Sequence, residues 1–236
     1  AYVWQGAEGA TDVAFGRVKT LRAYKPGEEM LLAKGETLVI DFGQNAAAVP
    51  EFEFAADAGV ELTVRFGEML NDANGEKSRG NDGPGGSVYI ANMRSCPSRL
   101  DYTFKGGAAT YSPAYTFWGY RYASLTASGA VTLKTVKSVP VTSIAKADET
   151  GTLVTGNADV NKLVSNVRWG MYSNYLSVPT DCPQRDERMG WTADTQVFTE
   201  TACYFADVRA FFAKWLADLR DSQRPDGGYP SVAPIA

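Results

Sequence analysis

The sequence predicts a two-part chain, an antiparallel β-sandwich of jelly-roll character followed by α-helices. Three observations carry this. From about Gly35 to Ser143, apolar and polar residues alternate in short runs rich in β-branched and aromatic side chains, the period of strands with one buried face. Gly, Pro, Asn and Asp clusters interrupt those runs roughly every 8 to 12 residues, the rhythm of turns in sandwiches and jelly rolls. From Asn157 the period changes: Val160, Leu163, Val164, Val167 and Met171 fall at i, i+3, i+4 and i+7 spacings, one face of a helix.

Residues 1–34 read as a segment entering the β domain, which covers 35–145. Its strand candidates are "TLVIDFG", "PEFEFAA", "VELTVRFGE", "SVYIAN", "RLDYTF", "FWGYRYASLTA" and "VTLKTVKSV". The aromatic run Tyr115, Phe117, Trp118, Tyr120 and Tyr122 is most simply sheet core and domain contact. Between the strands, Asn71 to Gly86 forms a long polar loop. Its Asp72, Asn74 and Glu76 mimic the start of a calcium loop, but Gly75 comes too early and no acid follows at the twelfth place, so the stretch reads as a solvated loop. Residues 146–156 form a linker, and 157–236 begin a helical domain. Asn157 is a good N-cap for the first helix. A second helix is expected from Thr192 to about Phe205. A third runs from Asp207 to about Ser222, carries Phe211, Phe212, Trp215, Leu216 and Leu219, and is ended by Gly227 and Gly228.

Composition narrows the chemistry. With 236 residues, 44% hydrophobic and 21% charged, the chain has the make-up of folded globular domains. No apolar run reaches membrane-spanning length. A net charge of -4 without a clustered Lys/Arg stripe argues against nucleic acid as a partner. The chain has no histidine, so neither a Ser-His-Asp triad nor a His-ligated zinc site can be built from it. Cys96, Cys182 and Cys203 lack metal-ligand spacing and read as free or structural thiols. No cofactor or metal is expected. The chain opens on "AYVWQG" with neither Met nor signal sequence, and stops on "YPSVAPIA" just past a helix and turn. It therefore reads as a piece of a longer protein.

The chemistry-bearing stretch is "DCPQRDERMGWTAD", Asp181 to Asp194, in the loop between the first two helices. It carries four carboxylates and two arginines in fourteen residues. Three readings compete. Arg185 and Arg188 could neutralise the acids in an ion-pair network that holds the loop shut. The acids could cage a divalent cation, although the arginines would repel it. Or the loop could serve glycoside hydrolysis, which requires a protonated carboxylic acid beside the leaving oxygen and a second, ionised carboxylate, and no histidine. Arg and Asp grip sugar hydroxyls, Trp offers a stacking wall, and crowded negative charges help keep one carboxyl protonated. Spacing alone does not choose between Asp186 and Glu187 as that acid.

The motif resembles the signature of the bacterial α-L-rhamnosidases, inverting glycosidases built on a six-hairpin (α/α)6 barrel. Upstream, "GETLVIDFGQNAAAVPEFEF", "GVELTVRFGEML" and "YSPAYTFWGYRYASL" resemble the β-sandwich that precedes that barrel. The resemblance runs from about Gly35 to the C-terminus and implies that the helices here are the first of such a barrel. It implies that Glu187 is the general acid, that Asp181, Arg185 and Asp194 bind rhamnose hydroxyls, and that Trp191 walls the sugar near its methyl group. Asp186 becomes a structural partner, expected for an arginine, and Cys182 a packed small residue. Met189, Ala193 and Thr195 stand where close relatives often carry Leu, Gly and Ala.

The same resemblance implies a glutamate base later in the barrel, roughly 6.5 to 9.5 Å from the acid, which no residue of this segment matches. Residues 1–236 alone are therefore expected to be inactive. The implied partner is a rhamnose-containing oligosaccharide, polysaccharide or glycoside, met in the periplasm or outside the cell; no membrane is implied, and the oligomeric state is open. A noncatalytic carbohydrate-binding protein on this fold, or a six-hairpin glycosidase for another sugar, would carry the same features.

Overall fold

The computed structural model describes residues 1–5, 16–25, 27–72 and 82–235. These fall into two compact units, Ala1–Val139 with Gln184–Asp186, and Pro140–Pro183 with Glu187–Ala236.

Apart from a 3-10 turn at Ala91–Met93, the regular elements described in the first unit are strands. Its strands are β1 (Tyr2–Gln5), β2 (Thr20–Ala23), β3 (Met30–Leu32), β4 (Glu36–Ala56), β5 (Glu61–Gly67), the short β6 (Met69–Leu70) and β7 (Val88–Tyr89), then β8 (Arg99–Thr103), β9 (Gly107–Tyr111), β10 (Trp118–Ala127) and β11 (Val131–Pro140). Among the described residues, nine of them join one hydrogen-bonded network. It runs β2-β1-β4-β10-β5-β8, with β9 and β11 also beside β4 and β3 on β11. Its registers are antiparallel.

β4 organises the unit. "TLVIDFG" and "PEFEFAA", two runs in the sequence, are one 21-residue strand. No turn separates them. Instead the β4–β10 register shifts between Tyr120 and Tyr122, and at that irregularity Arg121 holds Asp41 through two hydrogen bonds of 2.8 and 2.9 Å. Gly43, at φ +80°, takes the left-handed conformation that a bulge requires. β4 can thus pair with β1 and β10 along its first half and with β9 along Phe52–Ala56. The inward set Leu38, Ile40, Phe52 and Phe54 meets Leu62, Val64, Phe66, Leu125 and Leu133 in a closed core. Val39, on the opposite face, packs with Trp4 and Val88 in a second cluster.

Trp118 and Tyr120 sit in the sheet core as the alternation predicts, while Tyr115 is fully exposed because it precedes β10 rather than lying on it. Of the calcium-like triplet, Asn74 and Glu76 lie outside the described residues. The described ends of that loop are buried or half-buried rather than open. Asn71 is 3% exposed, and its side-chain amide donates to Asp82 and Ser87, both at 2.9 Å.

The second unit contains α1 (Ala158–Asn174), the short strands β12 (Tyr175–Leu176) and β13 (Val178–Pro179), α2 (Thr192–Phe205) and α3 (Arg209–Asp221). Asn157 caps α1 as expected, its side-chain oxygen accepting from the backbone N–H groups of Asp159 and Val160. α3 stops several residues before the glycines that were expected to end it. Ser222 is its C-cap, and Gly227 instead closes a later turn against Arg224. Met171, Tyr175, Ala202, Phe205 and Val208 form the buried centre of the unit. No helix among the described residues is long and apolar enough to cross a membrane. The three cysteines are free thiols.

Candidate active site

The loop from Asp181 to Trp191 is set by what flanks it. At the C-terminus of α1 the chain turns through the β12–β13 hairpin and returns, so that the Asn174 carbonyl accepts from the Thr180 backbone N–H at 2.8 Å and from its hydroxyl at 3.0 Å. This fixes Asp181 beside the end of α1. Its N–H donates to the Met189 carbonyl at 3.2 Å and its carboxylate accepts from the Met189 N–H at 3.1 Å. The acid thereby staples the two ends of the loop. Asp194 lies in the first turn of α2, where a negative charge is favoured by the helix dipole.

Asp181 and Asp194 share a cleft of about 330 Å³, floored by apolar residues of α1 and α2 such as Val167, Met171 and Phe198, with Asn174 at its edge. Glu187 is not among the residues that line it. Its carboxylate is instead joined to Asp181 through a tighter cluster: one side-chain donor atom from each of Asp181, Cys182 and Glu187 lies within 4.8 Å of the other two. The buried Cys182 thiol sits 3.9 Å from Glu187 Oε2. A thiol with two carboxylates is not the all-oxygen shell that Ca²⁺ or Mg²⁺ takes. It is, however, a pair of close carboxylates beside an apolar cleft, an arrangement that can transfer a proton and grip hydroxyls.

Of the five residues singled out from sequence, Asp181, Glu187, Trp191 and Asp194 belong to the second unit. Arg185 falls with Gln184–Asp186 in the first unit, and is half-buried. Trp191 is half-buried and pairs through its backbone with Val232. Asp186 departs from expectation: its hydrogen-bond partner is a serine, not an arginine. Its exposed carboxylate accepts from the Ser95 hydroxyl and, at 3.3 Å, from the Ser95 N–H. The Ser95 hydroxyl, with the Arg94 charge as a smaller contribution, holds Asp186 below the ordinary carboxylate pKa. A partner more than eighty positions away in the chain has no signal in local sequence.

Sequence reasoning also missed what seats the end of the loop. The Thr192 N–H donates to the Ser231 carbonyl at 2.9 Å and the Ala233 N–H to the Gly190 carbonyl at 3.0 Å. Trp215 of α3 was read only as part of an apolar helix face. Its indole N–H donates to the Ala233 carbonyl at 3.0 Å. The available hint was the buried Trp itself, whose N–H requires a partner.

Comparison with known proteins gives a consistent result. Residues 31–144 match the bacterial alpha-L-rhamnosidase concanavalin-like domain, and residues 148–236 match the bacterial alpha-L-rhamnosidase 6 hairpin glycosidase domain. The chain is 40% identical over 212 residues to an alpha-L-rhamnosidase of Streptomyces avermitilis, covering 89% of this chain and 19% of that protein. It is 37% identical over 209 residues to one of Formosa agariphila, covering 86% and 21%. Among solved structures, the Streptomyces avermitilis alpha-L-rhamnosidase complexed with L-rhamnose superposes with a TM-score of 0.70 at 39% identity, over 85% of this chain and 18% of that one. The alpha-L-rhamnosidase from Dictyoglumus thermophilum gives a TM-score of 0.70 at 31% identity, over 84% and 21%. The chain spans about a fifth of the length of the curated relatives it matches.

Proposed function

Because the chain belongs to the bacterial α-L-rhamnosidase family, we propose that the whole protein releases terminal α-L-rhamnose from rhamnosides by inverting acid/base hydrolysis. Glu187 protonates the departing glycosidic oxygen. Asp181, Arg185 and Asp194 bind ring hydroxyls, and Trp191 walls the sugar on its apolar side. The base that activates water comes from outside this segment, as the inverting geometry requires a second carboxylate far enough away to admit water.

The observation that supports this most is the position of Asp181. It borders the apolar cleft together with Asp194 and also stands within 4.8 Å of the Glu187 carboxylate. A sugar whose hydroxyls reach Asp181 is thereby brought beside the proposed acid. An apolar floor with a polar rim suits a deoxy sugar, which presents a methyl group and hydroxyls on one small ring. Such substrates occur in plant glycans and bacterial polysaccharides, and this substrate logic supports a periplasmic or extracellular location.

The test is hydrolysis by the whole protein of an aryl α-L-rhamnoside against other aryl glycosides, with the anomer of the first product followed by NMR. The reading expects rhamnoside turnover and β-L-rhamnose as the initial product. Turnover of a different glycoside would replace the substrate, initial α-L-rhamnose would replace inversion, and sugar binding without any turnover would make the protein a carbohydrate-binding one.

A further inference from the structure

The loop that carries Glu187 is clamped at two places. One clamp is the Asp181–Met189 pair of hydrogen bonds. The other is a strap, Ser231–Ala233, laid antiparallel along Gly190–Thr192 and seen in the Trp191–Val232 bridge. Both the N–H and the hydroxyl of Thr192 donate to the Ser231 carbonyl, at 2.9 and 3.1 Å. The Ala233 N–H donates to Gly190. Beside Gly190, the Ala233 carbonyl accepts the Trp215 indole N–H in a buried hydrogen bond of 3.0 Å. Ala233 is 0% and Trp215 4% exposed.

Gly190 shows how tight this junction is. A Cβ there would lie 2.2 Å from the Ala233 carbonyl oxygen and 2.8 Å from Trp215 Nε1. The loop, the strap and α3 therefore meet with no room for a side chain, and a close fit of this kind is either made or lost as a unit. Gly190 is followed directly by Trp191 and then by the first turn of α2 with Asp194. The height of the strap consequently sets where the proposed stacking wall and hydroxyl-binding acid stand.

We propose that Trp215 is a positioning residue of the sugar site: its indole N–H anchors the Ser231–Ala233 strap, and the strap seats Trp191 and Asp194 against the substrate. Trp215 touches no reacting atom. The inference rests on the sugar-binding reading given above.

The experiment is Trp215→Phe in the whole protein, which keeps an aromatic ring in α3 and removes the donor. Two readouts are taken, amide hydrogen exchange over 190–192 and 231–233, and steady-state hydrolysis of an aryl α-L-rhamnoside. The expected result is faster exchange in both segments and a KM raised about tenfold with kcat within about threefold, because groups that hold the sugar ring alike in the ground and transition states contribute to KM rather than to kcat. Unchanged exchange, or faster exchange with an unchanged KM, would overturn the inference. If the wild type turns over no rhamnoside, the sugar reading fails first, and the exchange data still decide whether Trp215 holds the strap. Should Trp215→Phe not fold, Thr192→Val removes one bond at the Ser231 end of the strap. It is expected to raise KM by about threefold, and no rise would count against the proposal.

Discussion

Phe66 of β5 and Leu163 of α1 both lie on faces that the sequence pattern predicts to be buried. Yet Phe66 is 0% exposed and Leu163 is 61% exposed. The difference comes from how each element is covered. In the first unit the inward positions of β4, β5, β10 and the start of β11 share one closed core, so residues such as Leu38, Leu62, Val64, Leu125 and Leu133 are excluded from water. In the second unit a helix stripe is buried only where another helix crosses it. Met171 belongs to the buried cluster with Phe205 and Val208, against which Phe211 packs, whereas Val160 and Leu163, about three and two turns earlier on the same stripe, stand open at 38% and 61%. Periodicity therefore reports which face is apolar, and within these 236 residues the neighbouring elements decide how much of that face is covered.

The contrast can be broken by mutation. Phe66 stacks on Trp118 with ring centroids 4.6 Å apart and meets Tyr120 at 4.7 Å. Phe66→Ala in the 236-residue chain is expected to cost about 3–5 kcal/mol in urea unfolding, and Leu163→Ala no more than about 0.5 kcal/mol. Similar costs at the two positions would mean that the helical unit closes around α1 as tightly as the sheets close around β5.

A smaller effect sharpens the comparison inside the helical unit. Tyr175 stacks on Phe211 at 4.5 Å, is 3% exposed, and its buried hydroxyl finds no hydrogen-bond partner among the described residues. Burial, with the Cys203 thiolate as a lesser influence, pushes its pKa above the ordinary value of 10.0. The folded chain thus keeps a proton that the unfolded chain releases. The associated stability is complete below pH 10 and is lost as the pH rises from there towards the folded value. Tyr175→Phe removes both the unpaired hydroxyl and this titration. It is expected to leave stability at pH 7 unchanged or up to ~1 kcal/mol higher, and to flatten the loss of stability above pH 10. A marked loss at pH 7 would show that the hydroxyl is engaged after all.

Local signals survive into the structure where the physics is local. Asn157 caps α1 because its side chain reaches the N–H groups two and three residues on, and the residues read as the second helix form α2 from Thr192 to Phe205. The crowded loop between the helices was legible for the same reason. What could not be read was pairing over distance. "YVWQ" and "MLL" become strands through β4 and β11 beside them, and the Gly107–Tyr111 run becomes β9 by pairing with Phe52–Ala56. Asp186 goes to Ser95, and the Ser231–Ala233 strap reaches the motif across some forty residues. At the site, residue types and crowding pointed to carboxylate chemistry, but the preference for Glu187 over Asp186 came from family resemblance alone.

The proposed role of Glu187 is tested most directly by comparing wild type and Glu187→Gln of the whole protein on two α-L-rhamnosides, an aryl one with an activated nitrophenol leaving group and an alkyl one with an unactivated alcohol. A group that protonates the leaving oxygen matters little when that oxygen departs readily as an anion. The account predicts a fall in kcat/KM of about 10² to 10⁴ on the unactivated substrate, a far smaller fall on the nitrophenyl one, and little change in L-rhamnose affinity. Equal losses on the two substrates, or none on either, would contradict it.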